Sequence, residues 1–354
     1  MSFDAFPLRG ESDRSAVLQL WRDNFGDQRI KTKIDPRWHW LTEANPSGPA
    51  KICVVTKRET GEVIGSAGAM PRVLRIGGSP VLAAVLCDFV VDKRHRVAGA
   101  ALALQRKLAD ACFADGISVL YGFPNKNAFP VFARIGYKTV GAATMMARPL
   151  RAGPHLRDHV PALLAETAGF FVDCVLQAYD LQLYLRRARN LDDTQRPAAD
   201  DSFQTLWDEV KVARAIVAER TPAHLNWRYA KHPVDDCTFF CLTEKSTGRL
   251  RGYVAYTVAS GKVNVLDAFW ASPEVQKALF VRFVWRMRAL GHASISVCYA
   301  GDASVAATLR ELGFIQSKES RNFVCKVAPH ELDRVGPAAY DLSQWSLFDG
   351  ELDI

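Results

Sequence analysis

Two short segments bring together residue types and spacings that suit chemistry. The first is Asp88-Phe89-Val90-Val91-Asp92-Lys93-Arg94-His95-Arg96-Val97-Ala98-Gly99-Ala100-Ala101. An apolar strand runs straight into Arg-x-x-Gly-x-Ala, where a helix begins, so unpaired backbone N–H groups converge at the positive end of a helix dipole. A loop of that kind cradles a phosphate. Gly99 lets a ligand approach the backbone, small Ala98, Ala100 and Ala101 leave space for it, and Lys93, Arg94 and Arg96 supply fixed charge. The second segment carries the spacing Asn-x2-Ala-x3-aromatic-x3-Gly-aromatic at Asn125, Ala128, Phe132, Gly136 and Tyr137. An ordinary Gly/Ala-rich helix start explains the small residues of the first segment equally well, so the signal lies in the two together.

Other reactive side chains are less well placed. His39, His95, His224 and His232 have no metal-ligand spacing with carboxylates and read as exposed or capping residues, His95 touching whatever the loop holds. Cys87 is a conceivable acyl-carrying nucleophile, yet its run alternates toward the core and a buried thiol is the simpler reading. The eight cysteines show no CxxC or Cys/His ligand spacing and suit a reducing compartment, so a cytoplasmic protein is expected. No metal site, Ser/His/Asp arrangement or Walker-type loop is expected.

The elements that must position these segments occur twice. Residues 52–65, ICVVTKRETGEVIG, align without a gap on 239–252, FFCLTEKSTGRLRG, and Trp40 and Pro46 fall on Trp227 and Pro233 at the same offset of 187. In each copy a Trp-bearing helix (Trp21, Trp207) precedes two apolar runs joined by Thr-Gly, which reads as a hairpin. Central strands at 82–92 and 263–272 then lead into helices at 97–115 and 273–290, with apolar residues three and four apart. Short strands at 117–121 and 293–299 follow, and each copy closes on a helix ending in Gly-aromatic, Gly136-Tyr137 and Gly313-Phe314. The reading is an α/β chain, α+β in its mixed sheet, with domains at 1–150 and 201–330, a helical linker at 151–200 and an acidic C-terminal tail at 331–354.

Composition agrees. At 354 residues, 49% hydrophobic and 23% charged, the chain can bury two ordinary cores. The net charge of +7 comes from residues 1–150, while 151–354 are nearly balanced, which favours an anionic ligand of the first copy. The basic residues form no Lys/aromatic stripe, so nucleic acid is not expected. The N-terminus lacks the apolar run of a secretory signal, and residues 168–185 are broken by Asp173, Gln177, Asp180 and Gln182, so no membrane span is expected.

Val-Asp-x3-Arg-x2-Gly-x-Ala followed by the Asn125–Tyr137 spacing closely resembles the GNAT superfamily of acyl-CoA N-acyltransferases, over about residues 52–140. The resemblance implies two tandem GNAT-like domains, each a central mixed sheet flanked by helices. It implies acetyl-CoA or another acyl-CoA as co-substrate, with the pyrophosphate on the backbone of Arg96, Val97, Ala98, Gly99, Ala100 and Ala101. The pantetheine arm would pair with Phe89, Val90 and Val91, Asn125 would bond it from the other side, and Asp88 would be the general base. Phe132 stands in the cleft where many members carry a Tyr that protonates the leaving thiolate, and Tyr121 and Tyr137 are the nearby substitutes. In the second copy Ala271-Ser272-Pro273-Glu274 occupies the loop position, where Pro removes an N–H and Glu adds negative charge, so that copy looks degenerate. The expected function is transfer of an acyl group, acetyl by resemblance, to a primary amine of a small metabolite, amino sugar or amino acid. Acyl carrier protein is an alternative donor partner, and a non-catalytic acyl-CoA sensor or scaffold is the alternative function.

Overall fold

The computed structural model describes residues 2–95, 98–151, 162–187 and 190–351. Its first part holds strands β1 Phe3–Pro7, β2 Lys51–Lys57, β3 Val63–Ile76, β4 Ser79–Val91, β5 Val119–Gly122 and β6 Lys138–Pro149. Helices α1 Glu11–Asn24, α2 Gln28–Lys31, α3 Ile34–Thr42, α4 Ala98–Ala114 and α5 Phe129–Arg134 connect them. After α6, Ala162–Arg187, the order recurs with one strand added. It runs β7 Leu191–Arg196, α7 Asp201–Val210, β8 Ile216–Ala218, α8 Pro222–Leu225, β9 Thr238–Glu244, β10 Leu250–Ala259, β11 Lys262–Trp270, α9 Pro273–Ala289, β12 Ser294–Gly301, α10 Ala303–Glu311 and β13 Ile315–Val327. Helix α11, Leu332–Ala339, and strand β14, Ser346–Phe348, follow.

The repeated Thr-Gly turns sit where the sequence places them. Gly61 and Gly248 take φ of +71° and +69°, a left-handed conformation that a residue with a Cβ adopts only with strain. Helix α4 buries Ala100, Leu104, Leu108 and Cys112, one stripe at four-residue spacing, against the sheet. The strands that open each copy, β1 and β7, escape the sequence reading, which starts each copy at a helix. Leu191-Asp-Asp-Thr-Gln-Arg196 is an edge strand paired only with β9, and a polar edge strand carries no apolar alternation. Residues 331–354 are set apart as a tail by their acidity, but as far as Glu351 they pack into the body, with Trp345, Leu347 and Glu351 buried. Asp353 and Ile354 lie outside the described residues.

One mixed sheet runs through the chain in the order β1-β2-β3-β4-β5-β13-β6-β12-β11-β10-β9-β7. The copies therefore exchange their last strands. β13 pairs antiparallel with β5, Cys325 opposite Tyr121, while β6 pairs with β12, Met146 opposite Val297. β8 adds a further link by pairing with the far end of β3. The copies also meet at Trp40 and Trp227, whose rings stack at 4.7 Å and 13°. Each indole N–H donates to the other's carbonyl, at 2.8 and 3.0 Å. A groove over this contact is lined by residues in pairs 187 apart: Pro36 and Ala223, His39 and Asn226, Ala44 and Lys231, Pro46 and Pro233. Among the described residues no helix is long and apolar enough to cross a membrane, and no group of three or more His, Cys, Asp or Glu is placed to hold a metal ion.

Candidate active site

Strands β4 and β5 run parallel from Ala83–Val119 to Val85–Tyr121 and then part. The cause is on the other edge of β4. Cys87 pairs with Gly68 and Val90 with Ser66, so Asp88 and Phe89 together face Ala67. This bulge, with Asp88 at φ +49°, bends β4 away from its neighbour. Gly68 is required there, since a Cβ would lie 2.8 Å from the Cys87 sulfur.

The parting strands open a groove of about 700 Å³ lined by Phe89, Val90, Val91, Ala101, Leu102, Asn125, Ala128 and Arg134. An inner chamber of about 230 Å³ continues from it toward the vertex, lined by Leu86 to Phe89, Gly122 to Asn125 and Phe132. Its roof is Phe25, Gly26, Asp27 and Ile30, from α2 and the turn before it. The structure thus brings Asp88, Phe89, Val90, Val91, Ala101, Asn125 and Phe132 to one cavity system. Gly99 is exposed at the start of α4 and Ala100 faces the core. Arg96 and Val97, and the side chain of Ala98, lie outside the described residues. The roof was missed by sequence reasoning; Gly26 marks the end of α1, but nothing in the sequence aims that corner at β4.

The electrostatics differ from a plain count of charges. The Arg94 guanidinium bonds Asp92 at 2.8 Å and holds its carboxyl down at about 2, so Arg94 is engaged locally instead of facing the groove alone. Asn125 Oδ1 accepts from the N–H groups of Asn127 and Ala128, both at 3.0 Å, which fixes the entry to α5. Asp88 is buried, and its Oδ1 accepts from Arg37 Nε at 3.2 Å and Nη2 at 2.9 Å. Neither substitute tyrosine faces the groove. Tyr121 is fully buried with its hydroxyl 3.4 Å from Glu351, and Tyr137 is packed under Phe132. Burial raises the pKa of both. His224 is a correction to the exposed-or-capping reading: it is buried, and desolvation, with Arg72, Arg220 and Arg228 nearby, holds its pKa well below 6.5. His232 is also largely buried, its Nδ1 accepting from the Asp235 N–H at 3.1 Å in a turn and not at a helix end, while His39 is exposed beside Glu43.

The corresponding cleft of the second copy is built on the same plan and filled. β11 and β12 pair through Val263–Ile295 to Val265–Val297, and β11 also bulges, at Leu266. Beyond Val297, β14 lies on β12, with Phe348 opposite Tyr299, Leu347 opposite Ala300 and Ser346 opposite Gly301. The covered edge of β12 ends just before Asp302, whose Oδ1 accepts from the Ser304 N–H as that of Asn125 does from Asn127. Asp267 receives Arg220 through both oxygens, at 3.0 and 2.7 Å, and the Tyr253 hydroxyl at 2.7 Å. The helix behind it starts at Pro273, with Ser272 as its cap.

Residues 8–140 match the model of the Acetyltransferase (GNAT) domain family. No curated protein matches the chain in sequence. Among solved structures, a GCN5-related N-acetyltransferase from Anabaena variabilis is 13% identical with a TM-score of 0.64, covering 93% of this chain and 74% of that one. The tandem GNAT protein of the clavulanic acid biosynthesis pathway is also 13% identical, with a TM-score of 0.54 over 92% of this chain and 99% of its own. The N-myristoyltransferase of Saccharomyces cerevisiae, solved with myristoyl-CoA, gives 13% and 0.55 over 92% and 78%. Residues 8–140 are thus similar to a GNAT domain, inside a mixed α/β fold that the chain shares along its length with solved GNAT structures.

Proposed function

We propose that the chain transfers an acyl group from an acyl-CoA to the primary amine of a small metabolite, amino sugar or amino acid. The observation that carries this reading is the groove opened by the bulge at Asp88 and Phe89, which leads along β4 to the start of α4. Gly99 to Ala101, with Arg96 before them, receive the pyrophosphate at the helix N-terminus. The edge of β4 freed at Phe89 to Val91 pairs with the pantetheine amides, and Asn125 faces them across the groove. A backbone N–H near Val90 or Val91 polarises the thioester carbonyl. The amine attacks that carbon, the C–S bond breaks, and Asp88, oriented by Arg37, takes the proton the nitrogen loses. With no tyrosine lining the groove among the described residues, the thiolate takes its proton from water, which suits a thiol of pKa about 8.5. The second copy, its cleft occupied by β14, binds no coenzyme.

The test is thiol release from acyl-CoA esters across a panel of primary amines, with calorimetric binding alongside. Amine-dependent release is expected. Absence of binding for every ester sinks the reading. The engaged tyrosines favour one other reading, an acyl-CoA sensor, and binding without release for any amine would select it.

A further inference from the structure

We infer that the acyl group handled here is an aliphatic chain of about six to eight carbons instead of acetyl. This rests on the acyltransfer reading above and names its donor. The inner chamber lies past Val90, where the thioester carbonyl sits, so an acyl chain is what extends into it. The chamber measures about 230 Å³. An apolar cavity of about 150 Å³ already holds benzene, so acetyl leaves most of this space without contact, and unfilled apolar walls forfeit dispersion energy.

The walls are built for hydrocarbon. Leu86, Phe89, Phe132, Phe25, Ile30 and Phe123 make most of the lining, with Asp27, Asp88 and Asn125 as its polar members. They are also fixed. Phe132 stands edge-on to Phe89 at 5.9 Å and to Tyr137 at 5.2 Å, and Phe123 stacks on Phe323 of the exchanged strand β13 at 4.9 Å. Of the polar groups at the chamber, the Asn125 oxygen is engaged by the turn before α5, and Asp88, held by Arg37, marks the corner where the amine attacks. The far end is closed, because Gly122 and Leu86 meet at the vertex, where a Cβ on Gly122 would stand 3.1 Å from that of Leu86. A closed end sets an upper length. The amine must reach Asp88, so it takes the part of the chamber beside Asp88 and Asp27 and leaves the vertex at Leu86 and Gly122 to the chain.

The experiment measures binding of CoA and of its acetyl, butyryl, hexanoyl, octanoyl and decanoyl esters to the full chain, with thiol release to one amine. Affinity should rise about two- to fourfold per methylene, the upper figure being about 0.8 kcal/mol for a buried CH2, then level or fall beyond six to eight carbons. Phe132→Ala, which lengthens the chamber, should move the optimum upward. Because that change also cuts into the core, Ala128→Leu, at a half-buried position on the chamber wall, serves as the second variant and should lower the octanoyl-to-acetyl affinity ratio about tenfold. If acetyl-CoA binds as tightly as octanoyl-CoA and turns over faster, this inference fails while acyltransfer stands. If no CoA ester binds, the acyltransfer reading itself fails and takes this one with it.

Discussion

The two copies share a plan and differ in what fills the cleft. Both bend the strand that leads into the cleft, β4 or β11, with a bulge, and both bury an aspartate there under an arginine, Asp88 with Arg37 and Asp267 with Arg220. In the first copy the aspartate lines a chamber. In the second, Arg220 and Tyr253 engage both carboxylate oxygens and β14 covers the strand edge where the first copy is open. A carboxylate under a guanidinium thus recurs in both copies, and they differ in access, which the chain's own C-terminal strand limits in the second.

That comparison is sharpest at the helix starts. Gly99→Glu puts a negative charge beside the pyrophosphate, worth about 4 kcal/mol at 4 Å and an effective dielectric near 20, so acyl-CoA affinity by calorimetry should fall about a thousandfold. Glu274→Lys in the second copy should leave it within twofold. Asp88→Asn should lower kcat about 100-fold or more, with the pH–rate profile losing its acidic limb, the mark of a proton acceptor in place of a prop. Asp267→Asn should leave kcat alone and cost about 3 kcal/mol in urea denaturation, because Arg220 is left buried without its partner. An equal effect of the two Asn variants on kcat would erase the distinction.

Smaller effects probe the contact between copies. Trp40→Ala and Trp227→Ala should couple by about 1 kcal/mol in a double-mutant cycle, the part of the stacked pair beyond its buried area. The buried imidazoles give the contact a pH signature. Burial holds His224 well below 6.5 and His232 at about 2, so the fold keeps both neutral while the unfolded chain takes up protons below about pH 6.5. Stability is therefore full above that pH and falls below it, by up to about 1.4 kcal/mol per pH unit for each imidazole. His224→Gln should roughly halve the slope of unfolding free energy between pH 6 and 5. An unchanged slope would show that His224 is reached by solvent.

Much of this was legible in the chain. Local rules act within a few residues, so the Thr-Gly turns at Gly61 and Gly248, the stripe of α4 and the helix start at Gly99 follow from composition and spacing alone. The repeat showed Trp40 and Trp227 to be equivalent. It did not show that they stack on one another, since a repeat relates positions without saying whether they touch. The edge strand β7 stayed hidden because a polar edge carries no period, and β1, Phe3–Pro7, because five residues are too few to show one.

What the sequence by itself determined is the order of the repeated elements from the first hairpin on, with an Arg-x-x-Gly-x-Ala helix start in one copy and a Pro-Glu start in the other. The tertiary structure decided the partners. Strand pairing is made by backbone groups that every residue carries, so nothing in residues 138–149 or 315–327 states that β6 and β13 change places, or that β14 takes the edge of β12. Those backbone choices closed one cleft, brought Phe323 behind the chamber of the other, and left Asp88 the aspartate with a cavity in front of it.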